Sequence, residues 1–168
     1  MPYYSIVTNQ REQWIRFLSE LSPETDAETM HLMSQLRSVA HAMYRIGESS
    51  LDETKLSMAQ YGLLMTLLFS ERMEGKSAMN PSEISRRRGT NRNTISALVR
   101  TLEADGFIER ELDQDDRRKF NIRLTDSGRN LVEEHAHGHF NTMNQVFASL
   151  TKAERAALGK ILTKLDVK

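Results

Sequence analysis

Between Ile84 and Thr101 the sequence carries Arg86, Arg87, Arg88, Arg92 and Arg100 and no acid. The whole chain is neutral, with 23 basic and 23 acidic side chains. A concentrated basic patch on a neutral chain is the footprint that phosphate binding needs. Within the patch, Ile95, Leu98, Val99 and Leu102 recur at helical spacing and define one apolar face. At about 100° per residue the opposite face carries Asn93, Ala97 and Arg100, with Ser96 at its edge and Arg92 and Thr94 near the start. Asparagine pairs with adenine and arginine with guanine through two hydrogen bonds each. Serine and threonine reach phosphates, and Ala97 keeps the centre low enough for close approach. Ser82 and Arg86, on the preceding helix, complete the expected DNA contacts there. A solvated surface helix would show the same polar face. The glycine turn before it and the charged hairpin after it favour the groove reading.

A second group lies at 113–119. Asp113, Asp115 and Asp116 stand beside Arg117, Arg118 and Lys119. An arginine held by a neighbouring carboxylate is pre-aimed into a narrow minor groove, where the negative potential is strongest. Arg117 and Arg118 are the expected contacts, oriented by Asp113 and Asp116. A third group is His135, His137 and His139. His135 and His139 are four apart on a helix, a workable zinc pair. The chain has no cysteine, and a solvated or interface histidine patch is the preferred reading, so no metal and no cofactor are expected. No glycine-rich phosphate loop, nucleophile elbow or metalloprotease spacing points to an enzyme.

These residues need elements to hold them. Asn80, Pro81 and Glu83 read as N-cap, first helical position and capping partner of a short helix. Gly89 ends it, and a second helix runs from Thr90 or Asn91 to Asp105 with Gly106 as its stop. Two short helices about a glycine turn are a helix-turn-helix. The period then changes to two: Phe107 to Leu112, and Phe120, Ile122 and Leu124, form a hairpin with a charged tip. On the N-terminal side, residues 9–21 predict a short helix and Glu28 to Ser49 a long one. Ser57 with Gln60 opens an apolar helix, Ala59 to Phe69, buried nearly all round and followed by a loop from Arg72. On the C-terminal side, Thr125 caps a helix to about Leu150, and Thr151 with Glu154 opens the last.

The segment from Asp113 to Gly128 resembles the wing signature of the multiple-antibiotic-resistance-regulator (MarR) family: Asp, usually Pro, then Asp-Arg-Arg, a strand ending in Leu-Thr, and Gly. Gln114 stands where proline is usual. Leu102 to Arg110 is similar to that family's end of recognition helix and first wing strand. The resemblance implies a mainly α fold with a small β-hairpin wing: a winged helix-turn-helix plus a helical dimerisation layer. It implies a homodimer reading a pseudo-palindromic operator on double-stranded DNA, most commonly a repressor released by ligand. It divides the chain into N-terminal dimerisation helices (1–56), the winged domain (57–128) and C-terminal dimerisation helices (129–168).

Trp14, Phe17 and Leu18, with Phe140, Met143, Phe147, Leu150, Ile161 and Leu162, make stripes too long for one small domain to cover, and are expected in the dimer layer. The resemblance also implies a small aromatic or anionic effector. Trp14, His41, Tyr44, Arg45 and Met65 are the expected ligand residues, although core or surface roles account for each one singly. The alternatives are a zinc-responsive regulator of the same fold, a ligand-independent DNA-binding module, and a winged domain used for protein contacts. No apolar run approaches membrane-spanning length, and the cytoplasm is the expected compartment.

Overall fold

The computed structural model describes residues 13, 14, 16–22, 24, 26–112 and 120–165. The chain divides into two compact units, Met1–Arg45 and Ile46–Lys168. Residues 129–165 therefore stay in one unit with the hairpin and the helices before it.

In the first unit, residues 13, 14 and 16–21 are helical. Helix α1 (Ala27–Ser49) follows and runs on into the second unit. Asp26 accepts from the Thr29 amide at 2.8 Å and from the Thr29 hydroxyl at 2.5 Å. That satisfies one of the donors a helix start leaves unpaired. The same bonds hold the Asp26 carboxyl below the usual carboxylate range. Along α1 only Met30 is a buried apolar residue of this unit, while Leu32, Met33, Leu36 and Val39 are exposed. This apolar surface is left uncovered by the described residues of its own unit.

The second unit opens with a 3-10 turn, Asp52–Thr54, and α2 (Met58–Glu74). The capping box is formed as expected: Gln60 N donates to Ser57 Oγ at 3.2 Å and Ser57 N to Gln60 Oε1 at 2.8 Å. Two expectations need correction. Helix α2 does not give way to a loop at Arg72 but runs to Glu74, where Gly75 caps it at φ +68°. The extra turn is held from outside, by Arg72 on Glu133 and by Glu74 on Arg87. Nor is α2 buried all round, since Phe69 is 55% exposed.

Next come α3 (Pro81–Arg87), α4 (Arg92–Ala104), β1 (Ile108–Leu112), β2 (Phe120–Leu124), α5 (Asp126–Val146) and α6 (Lys152–Lys164). The strands pair antiparallel, Ile108 opposite Leu124 through Leu112 opposite Phe120. Strand alternation turns Ile122 and Leu124 inward and leaves Arg123 outside. Met79 exchanges both backbone hydrogen bonds with Ile122 at 2.9 Å, so the chain entering α3 is stitched to the hairpin. Helix α5 stops at Val146, short of the expected Leu150. Phe147 and Ala148 bond back three residues to Asn144 and Gln145, which tightens the last turn and ends the helix.

One core serves this unit. Tyr61, Leu64 and Leu67 of α2 meet Ile84 of α3, Ile95, Val99 and Leu102 of α4, Ile108 and Ile122 of the hairpin, and Val132 of α5. Each such side chain contributes about 1.5–3 kcal/mol by leaving water. Arg129 of α5 forks onto Glu71 of α2 at 2.9 and 3.1 Å and adds Asp126 at 2.6 Å. These pairs fix how α5 lies on α2, and α2 in turn is the platform under α3 and α4.

Candidate nucleic-acid interface

The interface is built from α3, the turn after it, α4 and the hairpin. Asn80 Oδ1 accepts from Glu83 N at 2.9 Å and starts α3 where the sequence places it. The last turn of α3 carries Arg86 and Arg87, and Arg88 caps it. Gly89 then sits at φ +59°, a left-handed conformation that costs glycine nothing. Asn91 caps α4, its Oδ1 accepting from Thr94 N at 2.8 Å and from Thr94 Oγ1 at 3.0 Å.

Helix α4 divides cleanly. Ile95, Val99 and Leu102 are buried, Leu98 half-buried, and Arg92, Asn93, Thr94, Ser96, Ala97 and Arg100 exposed. The apolar spacing of the sequence is enough to produce this, because the core below accepts only that face. Ser96 Oγ donates to the Arg92 carbonyl at 2.9 Å, which orients its lone pairs outward. Ser82 is exposed on α3.

The arginines sort into two groups. Arg87 reaches Glu74 with both terminal nitrogens, at 2.8 and 2.7 Å, and Glu83 at 2.8 Å. Those bonds raise its pKa and hold the Glu74 carboxyl low. Arg88 lies against α2, close to the Thr66 hydroxyl and the Ala59 carbonyl, each at 3.4 Å. Burial lowers its pKa, though not enough to discharge a guanidinium. Arg86, Arg92 and Arg100 form no ion pair among the described residues. Two of the three clustered arginines are therefore occupied inside the unit, and Arg86 is the one left facing outward.

The hairpin brings a residue that the sequence reading did not single out. Arg110 of β1 stands 4.8 Å over the Phe120 ring and 2.9 Å from Glu103 at the end of α4. With Ser96, Arg100, Val99 and Pro81 it lines a cleft of about 140 Å³ where the outer face of α4 meets the wing. Its signal in the sequence was faint: one cation on a strand, opposite Ile122 in register. The tip residues Asp113, Asp116, Arg117 and Arg118 lie outside the described residues.

The other predicted sites separate. In the first unit His41, Tyr44 and Arg45 are exposed on α1. Trp14 is 46% exposed with its ring 5.4 Å from Phe17. In the second unit Met65 is half-buried and packs on the core. Of the histidines, His139 is buried, its Nδ1 2.7 Å from Ser50 Oγ and its ring 5.1 Å from Tyr61. His135 is half-buried and His137 exposed. Among the described residues no group of three histidine or acidic side chains is placed to hold a metal ion. No helix among them is long and apolar enough to cross a membrane.

A helix-turn-helix stitched to a two-stranded hairpin defines a winged helix-turn-helix protein. Residues 54–119 match the MarR family model. The chain is 27% identical to the transcriptional repressor YetL of Bacillus subtilis over 165 residues, covering 98% of this chain and 92% of the relative. Among solved structures it is similar to the S. aureus MepR–DNA complex, at a TM-score of 0.71 and 26% identity, covering 79% of this chain and 94% of that one. It is also similar to the organohalide-sensing regulator RdhR-CbdbA1625 in its 2,4-dichlorophenol-bound form, at 0.73 and 25%, covering 85% and 81%.

Proposed function

We propose that the chain is a sequence-specific, DNA-binding transcriptional regulator, and that it represses from a pseudo-palindromic operator until a small aromatic or anionic ligand releases it. The observation that carries this reading is the outward face of α4. It presents Asn93, Ala97 and Arg100, with Arg86 and Arg92 beside them unpaired among the described residues, while Arg87 is held by Glu74 and Glu83 and Arg88 by burial against α2. Side chains kept free of partners on a rigid helix are what base edges and phosphates require. Asn93 and Arg100 read bases; Arg92, Thr94, Ser96, Ser82 and Arg86 hold the sugar–phosphate. Arg117 enters the minor groove with Arg118 beside it, aimed by Asp113 and Asp116.

The regulator works as a homodimer. The exposed stripe of Leu32, Leu36 and Val39, and separately exposed Phe140, Ile161 and Leu162, support this, because apolar surface of that extent marks an interface. Half-site centres lie about 10 base pairs apart. Trp14, His41, Tyr44, Arg45 and Met65 bear on the effector, and the cytoplasm is its place of work. A relative solved with DNA and another solved with a chlorinated phenol support the two halves of the proposal.

Fluorescence anisotropy against the chain's own upstream region, beside a scrambled duplex and across a salt series, tests it. Tight sequence-dependent binding that weakens steeply with salt is expected. Equal, feeble binding to both duplexes, persisting after refolding from denaturant, overturns it.

A further inference from the structure

The hairpin is a two-stranded sheet, and two strands alone are only marginally stable in water. Its base is anchored: Ile108, Ile122 and Leu124 are buried in the core, and Met79 exchanges backbone bonds with Ile122. Beyond Ile108 every residue of β1 is exposed. The outer half must be held against α4 by other means.

Arg110 stands opposite Ile122 in register and shares that face of the hairpin with Phe120, diagonally across. Its guanidinium lies 4.8 Å over the Phe120 ring, and its Nε is 2.9 Å from a carboxylate oxygen of Glu103 in the last turn of α4. A planar guanidinium held by a ring and by a carboxylate has little freedom left. Arg123 points to the other face, where Glu109 and Glu111 hold it at 2.9 and 3.6 Å. Among the described residues, Arg110 with Glu103 is thus the one ion pair that ties the hairpin to α4.

We infer that Arg110 is a positioning residue for operator binding: by joining Glu103 to Phe120 it sets the angle of the hairpin against α4. The inference rests on the proposal that α4 reads a major groove and the wing the minor groove beside it. The two grooves are a fixed distance apart on a duplex, so both elements engage fully at one angle only. Setting that angle in the free protein spares the complex the cost of ordering the wing. Both side chains of the pair are more than a third exposed, so the pair adds little to stability. Its effect is on where the hairpin points.

Glu103 gives the test a sign. It is an acid one turn from Arg100, on a helix that meets phosphates. Electrostatics alone says that neutralising it tightens DNA binding; positioning says that binding weakens. Operator affinity of the full chain is measured by fluorescence anisotropy for wild type, Glu103→Gln, Arg110→Gln and the double variant. Each is measured on the operator and on a duplex whose A·T pairs flanking the half-sites are replaced by G·C, which widens the minor groove. Glu103→Gln is expected to weaken the operator roughly three- to tenfold, two wings being affected, and to flatten the preference for A·T flanks. Melting temperature and single-base preferences within the half-site should hold. The double variant should lose no more than Arg110→Gln, because the two residues act as one unit. Glu103→Gln that binds as tightly as wild type or tighter overturns the inference and leaves DNA reading by α4 standing. Additive losses in the double variant do the same, and would make Arg110 a separate phosphate contact. Flank and half-site preferences that fall together also overturn it. Wild type that binds its operator no better than a scrambled duplex refutes the regulator reading and takes the inference with it.

Discussion

The backbone carbonyl of Phe107 occupies the space that a side chain on Gly128 would need. A Cβ on Gly128 would lie 2.9 Å from the Phe107 carbonyl carbon and closer still to its oxygen. The contact sits at the join of three elements. Thr125 N donates to the same carbonyl at 3.1 Å, Thr125 Oγ1 donates to the Gly106 carbonyl at 2.7 Å, and Gly128 N donates to Thr125 Oγ1 at 3.1 Å. The glycine that closes the wing signature is thus the point where α5 docks on the start of the hairpin.

Gly128→Ala must push backbone against backbone, with no flexible side chain to give way. Overpacking of this kind costs about 1–3 kcal/mol, against a gain of at most about 1 kcal/mol in helix propensity. A fall in Tm of several degrees is expected by differential scanning calorimetry. Gly138, in the same helix, is the internal control. Nothing lies within 4 Å of a Cβ there, so Gly138→Ala should raise Tm. Equal or higher stability for Gly128→Ala would refute the docking argument.

Arg86, Arg87 and Arg88 are adjacent in sequence and should separate in experiment. Arg86→Ala removes an exposed cation that α3 holds toward solvent. It should reduce the salt slope of operator binding by about one per subunit and leave Tm unchanged. Arg87→Ala strands the Glu74 and Glu83 carboxylates, and Arg88→Ala empties the space beside Gly62, where an added Cβ would stand 2.6 Å from the guanidinium. Both should lower Tm and leave the salt slope alone. A salt slope that falls equally for all three would mean the structure has assigned their roles wrongly.

Much of this was legible beforehand. Capping residues are local signals, and Ser57, Asn80, Thr125 and Thr151 all start helices where the sequence puts them, while of Thr90 and Asn91 it is Asn91 that caps α4. The faces of α4 follow from spacing alone. What escaped was set by partners distant in sequence. The extra turn of α2 depends on Arg87 and Glu133, and the division of the three arginines depends on Glu74 and on the room above Gly62. Arg110 joins the cleft beside α4 only through Phe120, ten residues on and across the hairpin. The arginines and acids at 113–119 remain an expectation from the sequence.

Asn93 and Arg100 should carry base discrimination. Each sits exposed on α4, and among the described residues no side-chain hydrogen bond competes with a base for it. Replacing either by alanine should weaken the specific duplex by about 1–3 kcal/mol per half-site and flatten the preference at one base pair. Arg92→Ala should weaken specific and scrambled duplexes alike. Anisotropy against a panel of single-base operator variants reads both effects. An Asn93→Ala protein with its full preference intact would remove α4 from the reading role.

His139 makes stability depend on pH, and its hydrogen bonds give the sign. Ser50 Oγ has one proton and donates it to the Gly47 carbonyl at 2.7 Å, so the bond to His139 must be donated by Nδ1. Burial opposes the charged imidazolium and lowers the pKa of His139 below its ordinary value of 6.5. The folded state therefore binds its proton less readily than the unfolded state. The corresponding stability is fully present above about pH 6.5 and is lost as the pH falls through the lower, folded value. Urea denaturation between about pH 7 and pH 5 should show a decline in the wild type. His139→Phe keeps a ring against Tyr61 and removes the proton, so its decline over the same interval should be shallower. Parallel curves for the two proteins would assign the pH dependence to other groups and leave His139 as packing alone.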